Sequence, residues 1–191
     1  MKYALKKIFS IATLTFFLPL LSYAAPELIL TWKANTYVPE NFTGKALPIA
    51  SSAIDASVIL VNGGKVISLN PYDINWYAGE DRVTGGKGKA NARLTAPATG
   101  QDALELRVHI LKYENQPLDA FLTIPITRPE IVIAKKPHAQ TQGFSIIPYF
   151  WNILNPNELA IAWDDNEDSI TARATNKKNA LEFARMTIPK Q

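Results

Sequence analysis

The chain contains no cysteine in its 191 residues. That excludes disulfide staples, zinc–thiolate sites, a thiol nucleophile and a lipid anchor on a terminal cysteine. Histidine is almost as scarce, with only His109 and His138. Neither has a partner at metal-ligand spacing such as H-E-x-x-H, and no G-x-S-x-G turn occurs. No catalytic residue can be nominated and no cofactor is expected, so the chain does not read as an enzyme.

Charge of one sign is also missing where it would matter. The formal net charge is +3, but Lys2, Lys6 and Lys7 stand in residues 1–24, a stretch with no Asp or Glu. The remainder is neutral and has no basic tract to neutralise phosphates, so nucleic acid is not an expected partner. Long helical periodicity is absent, and no second long apolar run follows the first.

What is present begins with that first run. The three lysines precede the apolar stretch Ile8–Leu21, and Ser22 and Ala24 supply small residues in an A-x-A-like arrangement. These are the parts of a secretory signal peptide. The stretch is shorter than the roughly 18 residues needed for a span and is broken by Pro19. Export with cleavage after Ala24 is expected, with no membrane span after cleavage, to a periplasmic, envelope or extracellular location.

From residue 25 onward the periodicity is that of strands. Ile54, Ala56, Val58 and Leu60 alternate with Asp55, Ser57 and Ile59, and Asn62-Gly63-Gly64 then marks a turn. Leu104, Leu106, Val108 and Ile110 alternate with Glu105, Arg107 and His109; Glu114-Asn115-Gln116-Pro117 turns the chain into Phe121–Ile126. Pro125 inside that run fits an edge or final strand. Short strands broken by Gly, Pro and Asn predict an all-β sandwich.

One pattern occurs twice. NPYDINWY (Asn70–Tyr77) and NPNELAIAW (Asn155–Trp163) both run from Asn-Pro through an acid to an aliphatic residue and Trp. Downstream, Arg107–Pro125 aligns without a gap on Thr171–Pro189, matching Asn115 to Asn179, Ala120 to Ala184 and LTIP to MTIP. The spacing predicts two sandwich units, 25–129 and 130–191, with Trp76 and Trp163 as structural core residues. The second is shortened, because it has no room for the strands expected around Arg82–Gly85 and Lys89–Ala96. A unit so small is expected to lean on the first.

The central Trp and the late strand pair resemble the immunoglobulin-like sandwich, in which such a Trp packs between the sheets. More narrowly, TYVPENFTGKALP, INWY and TIPITRPEIVI resemble secreted tandem immunoglobulin-like proteins of candidate-phylum bacteria. The resemblance spans most of the chain after residue 24. It implies fold and location and brings no activity with it.

Three local features invite ligand readings. Asp164, Asn166 and Asp168 repeat the start of an EF-hand loop, but Ser169 and Thr175 stand where its Gly and Glu belong. A solvated turn explains them as well. Gly85-Gly86-Lys87-Gly88-Lys89 lacks phosphate-loop spacing. Tyr113, Tyr149, Phe150 and Trp151 could stack on sugar, although at least one of Phe150 and Trp151 belongs in the core, since strand neighbours face opposite ways. The composition favours a non-catalytic secreted or cell-envelope module acting in adhesion, as a structural component, or through protein contact at a sheet edge or loop end. The alternative is a glycan- or calcium-binding module. Intact-mass measurement of the protein from its own host is expected to show loss of residues 1–24; a mass that includes them refutes processing.

Overall fold

The computed structural model of the chain describes residues 25–98, 101–135 and 143–189. The expected signal segment and His138 lie outside them. Among the described residues all regular structure is antiparallel β, apart from one turn of 3-10 helix.

The first eight strands are β1 (Glu27–Ala34), β2 (Ala53–Asn62), β3 (Lys65–Ile67), β4 (Asp73–Ala78), β5 (Asp81–Lys87), β6 (Asn91–Thr95), β7 (Ala103–Tyr113) and β8 (Gln116–Pro125). One sheet is built on β2, with β1 along one edge and β6 and β3 sharing the other. The second has the order β5-β4-β7-β8. Two tight turns set the hairpin registers. Gly63 and Gly64 have φ of 56° and 74°, and Glu114 and Asn115 have 47° and 68°. Positive φ at both central positions matches the twist of the flanking strands.

The alternating residues of β2 and β7 fill the space between these sheets, with Ile74 and Trp76 from β4 and Ile124 from β8. Trp76 is fully buried, and its indole Nε1 donates to the Lys89 carbonyl at 2.8 Å. That bond satisfies the one polar group a buried tryptophan brings with it. Beside it, β5 approaches β4 closely because Gly85 has no side chain; a Cβ there would stand 2.8 Å from the Ile74 carbonyl oxygen.

The remaining strands are β9 (Glu130–Lys135), β10 (Phe144–Tyr149), β11 (Leu159–Asp165), β12 (Ser169–Asn176) and β13 (Asn179–Pro189), with the 3-10 turn Pro156–Glu158 before β11. β9 pairs with β10, and β11-β12-β13 form a three-stranded sheet. A separate apolar cluster joins the two layers: Ile131, Trp151, Ile153, Leu159, Ala172, Ala174 and Ala184. The connection between β1 and β2 reaches across to it. Tyr37 packs on the cluster, its N–H donates to the Trp151 carbonyl at 2.7 Å, and its carbonyl accepts from Phe150 N–H at 2.8 Å. Phe42 meets Tyr149 and Phe150 edge-on at 5.7 and 5.8 Å.

The expectation for Trp163 is corrected here. It is 44% exposed, whereas Trp151 is fully buried with its Nε1 donating to the Glu130 carbonyl at 2.8 Å. The strand ladder explains the displacement. Trp76 stands opposite Val108, which stands opposite Ala120. Ile161 stands opposite Ala174, which stands opposite Ala184. The position equivalent to Trp76 is thus Ile161, and Trp163 lies two residues further along, beyond the cover of β9 and β10. The matched asparagines diverge too: Asn115 is a turn residue, but Asn179 opens β13 because the second hairpin turns at Lys177-Lys178 and shifts register at Thr175/Asn176. Phe150 and Trp151 are both buried, since a φ of 59° at Phe150 interrupts strand alternation.

Substituting Trp76→Ala or Trp151→Ala is expected to destabilise the protein by about 3–5 kcal/mol, the range for emptying a large aromatic site. Trp163→Ala is expected to cost less than about 1 kcal/mol. Denaturant unfolding of the three variants checks the order; equal losses at positions 151 and 163 refute it.

Candidate interaction surface

The residues singled out for ligand chemistry do not assemble into a site. Asp164 stands opposite Thr171 and Asp165 opposite Ile170, so these successive carboxylates point to opposite faces of β11. Asn166 N–H donates to the Ser169 carbonyl at 3.0 Å, closing a turn over Glu167 and Asp168. Among the described residues, no group of three or more Asp, Glu or His side chains is gathered in a way that could hold a metal ion. His109 stands opposite Asp119 on β8, with Nδ1 at 3.0 Å from Oδ1. The sugar-stacking platform does not form: Tyr113, Phe150 and Trp151 are buried. Tyr113 packs on Tyr72 at 5.4 Å, and its hydroxyl accepts from Asn62 Nδ2 at 2.7 Å.

The unusual chemistry lies in the three-stranded sheet. Leu159, Ile161 and Trp163 share one face with Ala172, Ala174, Ala184 and Met186, the face that meets the β9–β10 layer. Leu159 is covered, but Ile161 and Trp163 are 46% and 44% exposed. Among the described residues, no further strand lies over them. On the opposite face Leu181 and Phe183 of β13 are 89% and 65% exposed. They border a cleft of about 850 Å³ whose far wall includes Ile49, Thr127 and Pro129. A small sheet with exposed apolar side chains on both faces differs from the scattered single hydrophobes of an ordinary surface.

A polar network holds this sheet to the rest. Glu182 is buried on the inner face of β13, and its Oε1 accepts from Asn152 N–H at 2.7 Å. Its Oε2 accepts from Asn176 Nδ2 at 3.1 Å. Asn152 Nδ2 in turn donates to the Ala50 carbonyl at 3.2 Å, in the β1–β2 connection. A buried carboxylate is tolerated only when donors satisfy it. At the start of β11, the hydrogen bond from Lys178, followed by that from Leu154 N–H, holds the Glu158 carboxyl below its ordinary range. Lys177 Nζ donates to the Asn157 carbonyl at 2.7 Å.

Sequence reasoning missed Glu182 and Ile161. Glu182 has the same strand phase as the apolar Ala184 and Met186, and a carboxylate at an inward position is the signal that could have found it. Compared with protein-family models, with curated proteins and with solved structures, the chain matches none.

Removing the network's acceptor with Glu182→Ala takes the acceptor from Asn152 N–H and leaves Asn176 Nδ2 only its 3.4 Å bond to the Asn152 carbonyl, and is expected to cost about 2 kcal/mol or more. Glu182→Gln, which keeps one acceptor, should cost less. Thermal or denaturant unfolding checks this; an Ala variant as stable as the parent refutes the network's role.

Proposed function

We propose that the chain is a non-catalytic, exported or cell-envelope protein of two immunoglobulin-like units in tandem, the second shortened, and that it works by contact with protein. Strand order supports the fold reading. A β1-β2-β6 layer opposed to β5-β4-β7-β8, with Trp76 from β4 packed between them, is the arrangement such sandwiches use. In the second unit β9–β10 corresponds to β1–β2, and β11-β12-β13 to β4-β7-β8. The lysines and apolar run of residues 1–24 support export. Among the described residues, no helix is long and apolar enough to cross a membrane.

The observation that carries the function is the exposure of Ile161 and Trp163 on the core-facing side of an edge strand. A sandwich that stops short of covering its own apolar face presents a template for an added strand or an apolar partner. Glycan binding draws less support, because three of the four aromatics considered for stacking on sugar, Tyr113, Phe150 and Trp151, are inside.

The test is a photo-crosslinking residue placed at Trp163 in the protein expressed in its host, with the same residue at the exposed Val66 of β3 as control. Position 163 is expected to give a discrete protein adduct and position 66 none. Equal labelling at both positions, or an adduct to polysaccharide at 163, refutes the reading.

A further inference from the structure

Among the described residues β11 pairs only with β12, so its other edge is open. Main-chain bonds at both ends of this hairpin fix which groups face outward. Glu158 O accepts from Lys177 N–H at 3.0 Å, and Asn166 N–H donates to Ser169 O at 3.0 Å. Hydrogen-bonded pairs alternate along an antiparallel ladder, so Ala160, Ala162 and Asp164 bond β12. Ile161 and Trp163 therefore aim their N–H and C=O groups at the open edge. From Leu159 to Trp163 the strand has no proline, no charge and no bulge, the devices that guard edges.

Charge along the strand selects the occupant. Asp164, Asp165, Glu167 and Asp168 cluster at its end, while Lys177 and Lys178 are fastened at its start beside Glu158 and Asn157. A second copy laid antiparallel brings the acidic end of each chain to the lysine end of the other. A parallel copy would set like charges together. Self-complementary pairing about a twofold axis is also the commonest way for identical chains to associate.

We propose that β11 is a self-association edge, and that two copies join their β11 strands antiparallel across a twofold axis at Ala162 into one six-stranded sheet. In that register Ile161 of each copy stands opposite Trp163 of the other. The outward N–H and C=O groups of both residues are then satisfied. The two Ile–Trp pairs also cover each other on the face left open in the monomer, as aromatic and β-branched residues do across strands. Glu167 comes opposite Asn157 of the second copy, where Lys177 is anchored. The inference rests on the reading of the chain as an interaction module and names its partner as a second copy.

Because the protein has no cysteine, a single introduced one reports the geometry. Ala162 would face its own copy across a pair of the closer, non-hydrogen-bonded kind, with Cα atoms about 4.5 Å apart, within disulfide reach. Ala162→Cys in the full exported chain is expected to convert to a covalent dimer under mild oxidation. Arg185→Cys, exposed on β13, should remain largely monomeric. Sedimentation of the parent should show a concentration-dependent dimer. Lys177→Glu with Lys178→Glu is expected to raise its dissociation constant about tenfold or more through like-charge apposition. Mixing that variant with Asp164→Lys/Glu167→Lys should restore association; circular dichroism confirms that each is folded. A parent that sediments as a monomer throughout, or equal cross-linking at positions 162 and 185, overturns the proposal. A monomer whose position 163 still labels a different protein overturns self-association alone. A monomer with no selective label there removes the module reading as well.

Discussion

Trp151 ties together the smaller core, the start of β9 and the connection between β1 and β2. Its ring fills the centre of the smaller core, its Nε1 holds the start of β9 through Glu130, and its carbonyl is bonded to Tyr37 in the connection between β1 and β2. Without that residue, β9–β10 would have no wedge against β12 and β13, whose inner side chains are mostly alanines. Small side chains bury little area, so a single large aromatic must supply much of the apolar contact. The Glu182–Asn152 bond then fixes the segment just after Trp151 onto the sheet.

The two layers of strands differ in how completely each covers the other. With eight strands, every inward side chain of β2 and β7 finds an opposing one, and Trp76 lies where both sheets close over it. With five among the described residues, cover extends across β12 and β13 and ends within β11, after Leu159. The difference is one of strand number rather than composition: Leu159, Ile161 and Trp163 are as apolar as Ile74 and Trp76. An inward phase does not ensure burial when no opposing strand is present.

That is also why the sequence was legible in some places and misleading in others. The alternation in β2 and β7 and the turns at Gly63-Gly64 and Glu114-Asn115 were local, and each could be read from a few neighbours. The extra strands β5 and β6 followed from spacing. Motif similarity places Trp163 in the core, but its burial depends on covering strands that are not found among the described residues of the second half, which no local pattern records. Strand alternation places at least one of Phe150 and Trp151 in the core, and the positive φ at Phe150 lets both be buried. Glu182, an acid at an inward phase, could be understood only with Asn152 and Asn176 in place.

The bond between Tyr37 and Trp151 joins positions far apart in the chain and has a consequence for the order of events in folding. Contacts between distant residues form late, because the intervening chain must first be brought to order. The connection bearing Tyr37 is itself positioned by β1 and β2, so closure of this bond is expected to follow pairing of those strands. Synthesis delivers the chain from its N-terminus, and the segment that emerges first is the one the last strands need as a foundation. Until Trp151 arrives, Tyr37 and Phe42 remain without the aromatic partners they acquire in the finished fold.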